Sequence, residues 1–288
     1  MTENYFKSCL LCNATQLQKL DAYAKDYLVK CSNCGFVFSI RIPTYEELTN
    51  FYNQYPINEP LSPITVLRYD EWLNEFEKYR VNNNIIDIGC GNGYFLDRAK
   101  AKGWNVYGTE FTQRQVDIAT AKGINMSLGG LDVKNYQPGF FDVIVSIEVM
   151  EHINNPNEEL QRFSMICRKG GAVYITTPNF DALSRYYFKN HWNIFAYPEH
   201  LCYYTKKTLS KLFKQNGFKK DSFLSTGISL KRYKQSATGD NSTAFTVDET
   251  VRQQAEERLL FKIAKKTINF FLTLTNKGDT LKGLFVKE

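Results

Sequence analysis

The sequence predicts an α/β fold in which a doubly wound, mostly parallel sheet follows a small N-terminal module. From residue 84 onward, short β-rich apolar runs alternate with helical segments, the pattern of a parallel sheet with helices on both faces. Glycines such as Gly103 and Gly123 follow the helical runs, at the position where a left-handed residue commonly ends a helix. The alternating segments are residues 85–88, 94–101, 106–108, 112–121, 143–147, 157–167, 172–176 and 205–215.

The composition is that of an ordinary globular protein. Of 288 residues, 43% are hydrophobic, 15% aromatic and 23% charged, which argues against disorder and supplies apolar area for a core. Lys and Arg number 36 against 30 Asp and Glu, and the net charge of +6 selects neither nucleic acid nor a membrane as partner. The N-terminus lacks the pattern of a secretory leader, and no run reaches the ~18 apolar residues of a membrane span, so we expect a cytoplasmic protein.

Four of the seven cysteines form two Cys-x-x-Cys pairs near the N-terminus. Cys9 and Cys12 are the first pair, and Cys31 and Cys34 follow after 18 intervening residues. This spacing lets four thiolates surround one tetrahedral Zn²⁺. Because all four ligands are protein atoms, the site is closed, and we expect a structural zinc that stabilises a segment too small to fold alone.

We expect four segments along the chain. They are a zinc-binding module at 1–42, a connector and helix at 43–80, the main α/β domain at 81–230, and a linker with a C-terminal amphipathic helix at 231–288. The stretch 231–248 is polar, and Thr246 with Glu249 has the form of a capping box that opens the helix. Lysines flank the apolar residues of this helix, so it suits a membrane surface, the protein's own core or a second subunit, and monomer and homodimer both stay open.

A glycine-rich turn follows the apolar run 85–88 and leads into a helix, in the order Asp87-Ile-Gly89-Cys90-Gly91-Asn-Gly93. Glycines at such a turn let the backbone approach a ligand that a Cβ would exclude. Glu110 ends the next strand, where a carboxylate can accept hydrogen bonds from ribose hydroxyls. The Asp87 carboxylate would repel a pyrophosphate and attract a cationic ammonium or sulfonium group, which favours S-adenosylmethionine over NAD.

This pattern resembles the class I methyltransferase family, whose first motif reads D-x-G-C-G-x-G and whose second strand ends in an acid. Residues 141–152 are similar to the fourth strand of that family, and the resemblance covers residues 80–220. It implies a Rossmann-like fold that binds S-adenosylmethionine. The residues that it assigns to the cofactor are Asp87, Gly89 and Gly91 along the methionine part, Glu110 at the ribose, Phe111 beside the adenine, and Cys90, Gly93, Leu131 and Ile147 around them.

An aromatic segment follows residues 177–179 at the end of the predicted fifth strand, a place where open α/β proteins bind substrates. In this segment, Tyr197, Glu199 and His200 are candidate catalytic residues, since histidine is the natural base near neutral pH and acidic neighbours tune it. Together with the N-terminal cysteines, this region is similar to nucleotide-sugar C-methyltransferases, in which a Tyr-x-Glu-His group supplies the base. The large additional C-terminal domain of that family is not among these 288 residues.

The resemblance implies methyl transfer to an oxygen or carbon of a small-molecule acceptor, a sugar nucleotide or glycan precursor in sugar biosynthesis. A competing group, Glu148, Glu151 and His152, is similar to metal-dependent O-methyltransferases of quinones and of RNA 3′ ends, where such residues hold Mg²⁺. No dense Lys/Arg stripe occurs in the first 80 residues, which argues against a nucleic-acid partner. A third hypothesis is a non-catalytic binding subunit, and the intact Asp87 and Glu110 argue against it.

Overall fold

A computed structural model of the chain describes residues 4–52, 61–228 and 259–288. The chain divides into two compact units, each assembled from separate stretches of sequence. The first unit comprises residues 1–48, 177–209 and 224–282, and the second comprises residues 49–176, 210–223 and 283–288. Among the described residues, no helix is long and apolar enough to cross a membrane.

The strands and helices have the following bounds. The strands are β1 (Asn4–Tyr5), β2 (Leu17–Lys19), β3 (Leu28–Cys31), β4 (Val37–Ser39), β5 (Arg41–Ile42), β6 (Asn84–Ile88), β7 (Asn105–Glu110), β8 (Asn125–Leu128), β9 (Phe141–Ile147), β10 (Cys167–Pro178), β11 (Cys202–Tyr203), β12 (Phe218–Thr226) and β13 (Thr280–Lys287). The α-helices are α1 (Tyr45–Tyr52), α2 (Pro63–Phe76), α3 (Tyr94–Ala101), α4 (Gln113–Ala121), α5 (Pro156–Ile166), α6 (Leu183–Phe188), α7 (Lys206–Gln215) and α8 (Leu259–Thr275).

The large sheet has seven strands in the described part of the chain, in the order β12-β13-β10-β9-β6-β7-β8. From β10 to β8 every pairing is parallel. Helices α3, α4 and α5 alternate with these strands along the chain, as the spacing of apolar runs predicts. The predicted Rossmann-like fold with a doubly wound, mostly parallel sheet is therefore confirmed.

The core of the second unit lies against the central strands. Ile85 on β6 and Val143 and Val145 on β9 are fully buried and pack with Leu73 and Phe76 of α2. Branched and aromatic side chains fill both faces of these strands, which is why they read as continuous apolar runs rather than as alternating ones. This packing fixes the turn after β6, where the glycine motif lies.

Three strands of this sheet, β8, β12 and β13, carry no prediction from the sequence. Strand β8 is short and mostly half-exposed, so it lacks the apolar signal of its neighbours. Strand β13 occupies a stretch where we expected the C-terminal helix to continue, although its buried residues alternate in part with half-buried ones. Phe285 of β13 stacks on Phe213 of α7 with ring centroids 3.8 Å apart, and this contact ties the C-terminus to the second unit. The predicted linker at 231–248 and its capping box lie outside the described residues.

The first unit contains a small antiparallel sheet in the order β11-β4-β3-β2. Strand β11 comes from the segment after β10. This segment therefore shares one sheet with the N-terminal cysteine module, residues 1–42. A buried aromatic cluster with Trp192 and Phe195 at its centre packs on Leu28 and Val37 of the same sheet. The first unit also includes residues 177–209, so it does not coincide with the predicted module at 1–42. The module boundary at residue 42 stays a prediction.

Candidate active site

The glycine turn after β6 is hydrogen-bonded to the neighbouring strand β7. The backbone N–H groups of Gly89 and Cys90 both donate to the carbonyl oxygen of Thr109, at 2.9 and 3.0 Å. The N–H of Gly93 donates back to the Cys90 carbonyl at 3.0 Å and closes the turn into α3. The turn is thus a fixed loop whose position follows from the pairing of β6 with β7.

The glycines of this turn differ in what surrounds them, although all have positive φ. A Cβ added at Gly89 would lie 2.7 Å from Cγ2 of Val149, and one at Gly93 would lie 2.6 Å from Cδ1 of Ile124. These two positions need glycine for packing within the protein. At Gly91, an added Cβ would approach no heavy atom closer than 3.8 Å. Gly91 therefore leaves open space at the turn, which is the feature that a cofactor cradle requires.

Glu110 at the end of β7 faces the same turn. Its Oε2 accepts the backbone N–H of Gly91 at 3.0 Å, and its Oε1 accepts that of Phe111 at 2.7 Å. Its Oε1 also accepts the Thr112 N–H, at 3.4 Å. A carboxylate has about four lone-pair sites, so these bonds orient Glu110 and leave capacity for a ribose hydroxyl. The structure brings Glu110 and Gly91 together, as the expected cofactor site requires.

Asp87 is buried at 3% exposure near the end of β6. Burial, and after it the negative charge of Glu110, raises the pKa of the Asp87 carboxyl well above its ordinary value. Its Oδ1 is fully enclosed and has no hydrogen-bond partner in the described part of the chain. A buried carboxylate in this condition is stabilised by a cation, so the donor set fits a ligand that carries an ammonium or sulfonium group.

Phe111 and Leu131, expected near the adenine, follow β7 and β8, and Ile147, expected where the fourth strand meets the cofactor, ends β9. Phe111 is 65% exposed, an unusual state for a phenylalanine, and its Cζ would lie 3.7 Å from a Cβ added at Gly130. Leu131 follows that glycine and is buried. Ile147, the last residue of β9, is half-buried and pairs with Thr176 of β10. An exposed ring beside a glycine loop suits stacking on a planar base.

Two further side chains bear on this site. The Sγ of Cys90 lies 3.7 Å from Sδ of Met126, and burial raises the pKa of the Cys90 thiol, so it is a packed thiol rather than a nucleophile. Tyr69 on α2 was not among the predicted site residues. Burial, followed by the negative charge of Asp87, raises the pKa of its hydroxyl to about 12. Its helix shows only amphipathic spacing in the sequence, which gives no signal for a position near Asp87.

The competing metal-binding group lies directly after β9. Glu148 has a left-handed backbone with φ of 53°, and Glu151 and His152 follow on the 3-10 turn Met150–His152. Glu151 is buried. The N–H of Glu148 donates to the Thr176 carbonyl at 2.9 Å, which holds the start of this turn against β10. The turn has the carboxylate and imidazole types that Mg²⁺ or Mn²⁺ bind.

The four N-terminal cysteines converge in the first unit. All four Sγ atoms lie within 4.8 Å of one another, with Cys9 to Cys34 and Cys12 to Cys31 both at 3.6 Å. Four sulfurs at ~2.3 Å from one tetrahedral ion would be separated by about 3.8 Å. The donor set and its spacing therefore fit zinc.

The pKa values of these thiols diverge before any ion binds. Burial raises the pKa of Cys9 strongly and that of Cys34 to about 11. Burial acts in the same direction on Cys12, but hydrogen bonds from the Ala14 backbone and the Asn33 side chain outweigh it and lower its pKa to about 6. Binding of a dication to such a set releases protons from the buried thiols, and so depends on pH.

The surroundings of His200 favour one neutral form of its ring. Its Nδ1 lies 2.7 Å from the carbonyl oxygen of Ile194. A carbonyl oxygen can only accept, so in the neutral ring Nδ1 carries the proton and Nε2 carries the lone pair. Glu199 places Oε1 at 3.8 Å from Nε2. In this neutral form the Nε2 lone pair is what a general base requires, and the Glu199 carboxylate would stabilise the ring once it is protonated.

Tyr197 belongs to the same segment and contacts the cysteine module. Its backbone N–H donates to Oδ1 of Asp26 at 3.3 Å, and its ring centroid lies 5.0 Å from that of Tyr27. The Arg41 guanidinium lies over both rings, at 5.1 and 5.2 Å. Sequence reasoning missed Asp26, because nothing in its local pattern distinguishes it from a surface aspartate.

Solved structures show which fold the chain shares with known proteins. A S-adenosylmethionine-dependent methyltransferase from Archaeoglobus fulgidus aligns with a TM-score of 0.54 at 17% identity, over 85% of this chain and 100% of that chain. Geranyl diphosphate C-methyltransferase from Streptomyces coelicolor A3(2) aligns with a TM-score of 0.53 at 10% identity, over 86% of this chain and 99% of that chain. At these identities the likeness shows the fold alone, which is the class I methyltransferase fold.

The sequence comparisons identify the family. A family model described as a methyltransferase domain matches residues 66–222, which is more than half of the chain. The chain belongs to this methyltransferase family. A ubiquinone biosynthesis O-methyltransferase from Bordetella avium is 26% identical over 128 residues, 42% of this chain and 53% of the relative. The chain spans about half the length of the curated relatives it matches.

Proposed function

We propose that the protein transfers a methyl group from S-adenosylmethionine to an oxygen or carbon of a small-molecule acceptor. The observation that carries this proposal is the buried Asp87 carboxylate beside the open space at Gly91. The positively charged amino group of the cofactor would balance the negative charge of the Asp87 carboxylate, whereas a pyrophosphate would be repelled. When bound, S-adenosylmethionine supplies an electrophilic methyl group on a sulfonium.

The chain's own residues would hold the cofactor along the turn and the ends of β7 and β9. Asp87 and Gly91 would bind the methionine part, Glu110 the ribose hydroxyls, and the exposed ring of Phe111 the adenine face. Cys90, with Gly89 and Gly93, shapes the turn through packing. Leu131 and Ile147 would close the apolar sides of the site.

His200 is the proposed general base for the acceptor. Its Nε2 carries the lone pair, since Nδ1 is bound to the Ile194 carbonyl. Glu199 would stabilise the imidazolium that forms when Nε2 takes a proton. Tyr197 would help to hold the segment through its backbone bond to Asp26. In-line alignment of acceptor and methyl group, with removal of this proton, would supply the rate enhancement.

The proposed acceptor is a sugar nucleotide or glycan precursor. Support comes from the likeness of the Tyr197-x-Glu199-His200 group and the cysteine module to nucleotide-sugar C-methyltransferases. A second candidate is a quinone hydroxyl, with Mg²⁺ held by Glu148, Glu151 and His152. The name of the ubiquinone biosynthesis relatives favours this candidate. RNA and a purely binding role are further outcomes of the test below.

We also propose a structural Zn²⁺ at Cys9, Cys12, Cys31 and Cys34, because their spacing fits a tetrahedral site. Four thiolate ligands suit a reducing compartment, which supports a cytoplasmic location. On α8, Ile263, Phe270 and Leu274 are each at least half exposed at the spacing of one helical face. This face supports a proposed contact with a lipid surface or a second subunit.

The experiment follows a labelled methyl group from S-adenosylmethionine into a panel of nucleoside-diphosphate sugars, a catechol-type quinol and an RNA oligonucleotide. We expect transfer to a member of the sugar set, without added Mg²⁺. Transfer to the quinol alone, dependent on added Mg²⁺ and reversed by a chelator too weak to remove thiolate-bound zinc, would instead establish the second candidate. Absence of S-adenosylmethionine binding would contradict any methyltransferase activity.

A further inference from the structure

The segment that carries His200 is attached to the small sheet of the first unit just after the histidine. Strand β11 pairs with β4, with Cys202 opposite Phe38 and Tyr203 opposite Val37. The N–H of Ser39 also donates to the carbonyl of Leu201 at 2.8 Å. The residues that follow His200 are therefore fixed by backbone bonds to the cysteine module.

Asp26 makes the corresponding attachment before His200. Its Oδ1 accepts the N–H of Tyr197, a residue 171 positions away in sequence. Asp26 is only 4% exposed, and its Oδ2 makes no hydrogen bond within the described residues. The carboxyl group is thus largely removed from water, and this burial raises its pKa. A buried carboxyl with one backbone partner costs free energy, so its contribution lies in the bond that it accepts.

The acceptor of the His200 ring proton is held by the same unit. Ile194 is buried in the cluster of Trp192 and Phe195, which packs on Leu28 of β3. The N–H of His200 donates to the Ala196 carbonyl at 2.9 Å, so residues 194–200 form a compact turn. Within this turn, the bond to the Ile194 carbonyl favours the neutral form with the proton on Nδ1, against the pull of the Glu199 carboxylate on a proton at Nε2.

We propose that Asp26 is a positioning residue that keeps the lone pair of His200 on Nε2, by fixing the turn at Tyr197 so that Nδ1 stays bonded to Ile194. The inference rests on the proposed role of His200 as base, and it assigns to the cysteine module a part in the chemistry beyond stability. Without the bond from Asp26, the turn loosens and the other neutral form of the ring, with the proton on Nε2, becomes accessible. That form cannot accept a proton at Nε2.

The test uses nitrogen NMR on the full-length, zinc-loaded protein labelled in its histidines. The chain has only three histidines, and His200→Asn identifies the His200 signals by their loss. The shifts of the two ring nitrogens report directly which one is protonated. In the wild type we expect Nδ1 protonated and Nε2 unprotonated above the pKa of the ring. In Asp26→Ala we expect at least half of the neutral population to move to the other form.

Conservative and control variants separate this role from a general loss of packing. Asp26→Asn keeps a side-chain oxygen that can accept the Tyr197 N–H, so we expect it to retain the wild-type pattern. Asp21 begins the 3-10 helix Asp21–Asp26 and is exposed, so Asp21→Ala should also leave the His200 shifts unchanged. If Asp26→Ala does not fold, Asp26→Leu fills the volume without an acceptor, and it should show the same shift in populations.

Unchanged His200 nitrogen shifts in a folded Asp26→Ala or Asp26→Leu protein would overturn the inference. That result would leave the base assignment intact. The base assignment fails separately, if His200→Asn methylates the acceptor at the wild-type rate. The two outcomes are therefore distinguishable.

Discussion

The glycine-turn site and the His200 segment are built in opposite ways. In the first, Gly91 bonds to Glu110 only 19 residues away, across two strands that follow one another in the chain. In the second, Tyr197 bonds to Asp26 across 171 residues, and a strand after His200 joins a sheet made by the N-terminus. A short-range site can be read as a motif, whereas a long-range site depends on which distant segments the fold brings together.

The largest effect should follow from breaking the cysteine cluster that supports the long-range site. Cys31 ends β3, and Cys31→Ser removes one of four thiolates from a closed site. Structural zinc contributes about 10–16 kcal/mol of apparent binding energy in small modules, so the first unit should lose its cooperative unfolding. Metal analysis and calorimetric unfolding measure this, and S-adenosylmethionine affinity should change much less.

The matched control is Cys202→Ser, a buried cysteine of the same unit outside the cluster. It should keep the metal, with only a modest loss of stability. Protein purified without chelators that contains no zinc would refute the metal assignment.

The next effect concerns the proposed base. Positioned proton transfer contributes about 10²–10⁴-fold, so His200→Ala should lower kcat on the true acceptor by that order while leaving S-adenosylmethionine binding intact. Steady-state kinetics with His191→Ala as the exposed-histidine control would measure it. Wild-type turnover across the pH range in His200→Ala would remove His200 from the mechanism.

The contrast between the short-range and the long-range site also explains which parts of the structure the sequence could predict. Apolar runs and glycines located β6, β7, β9, β10 and the helices between them, because each signal is contained in one element. Strand β11 is two residues long, and β2 and β3 are nearly as short, so none has a periodicity to detect. Asp26 and Tyr69 act through residues distant in sequence, Tyr197 and Asp87. The residues around them in the sequence therefore do not predict these contacts.

Within the short-range site, Glu110→Ala should weaken S-adenosylmethionine binding by about 10- to 100-fold. The change removes charge-assisted hydrogen bonds worth about 1.5–3 kcal/mol and also frees the N–H of Gly91. Titration calorimetry gives the affinity. Asp117 is an exposed acid on the following helix, and Asp117→Ala should leave the affinity unchanged. Unchanged affinity in Glu110→Ala as well would mean that the ribose lies elsewhere.

The smallest effect is expected at Asp87, where a neutral side chain should raise the stability of the ligand-free protein and weaken cofactor binding. The folded-state pKa of this carboxyl lies above its unfolded value, so ligand-free protein should lose stability as the pH rises from the unfolded pKa to the folded pKa. Asp87→Asn removes that loss and should raise the unfolding midpoint of ligand-free protein near neutral pH by roughly 2–4 °C, the shift that about 1 kcal/mol produces. Thermal scans across pH, with and without S-adenosylmethionine, would show higher stability together with weaker binding. A lower midpoint in Asp87→Asn would mean that the charge is already neutralised within the protein.

The most direct test of the central claim is a pair of calorimetric titrations of the wild-type protein, one with S-adenosylhomocysteine and one with NAD. Both ligands carry an adenosine with a ribose diol, but only the first presents an ammonium group to Asp87, and only the second carries a pyrophosphate. We predict saturable binding of one S-adenosylhomocysteine per chain and no measurable binding of NAD. Binding of NAD at comparable affinity, or no binding of S-adenosylhomocysteine, would contradict the assignment of the glycine-turn site.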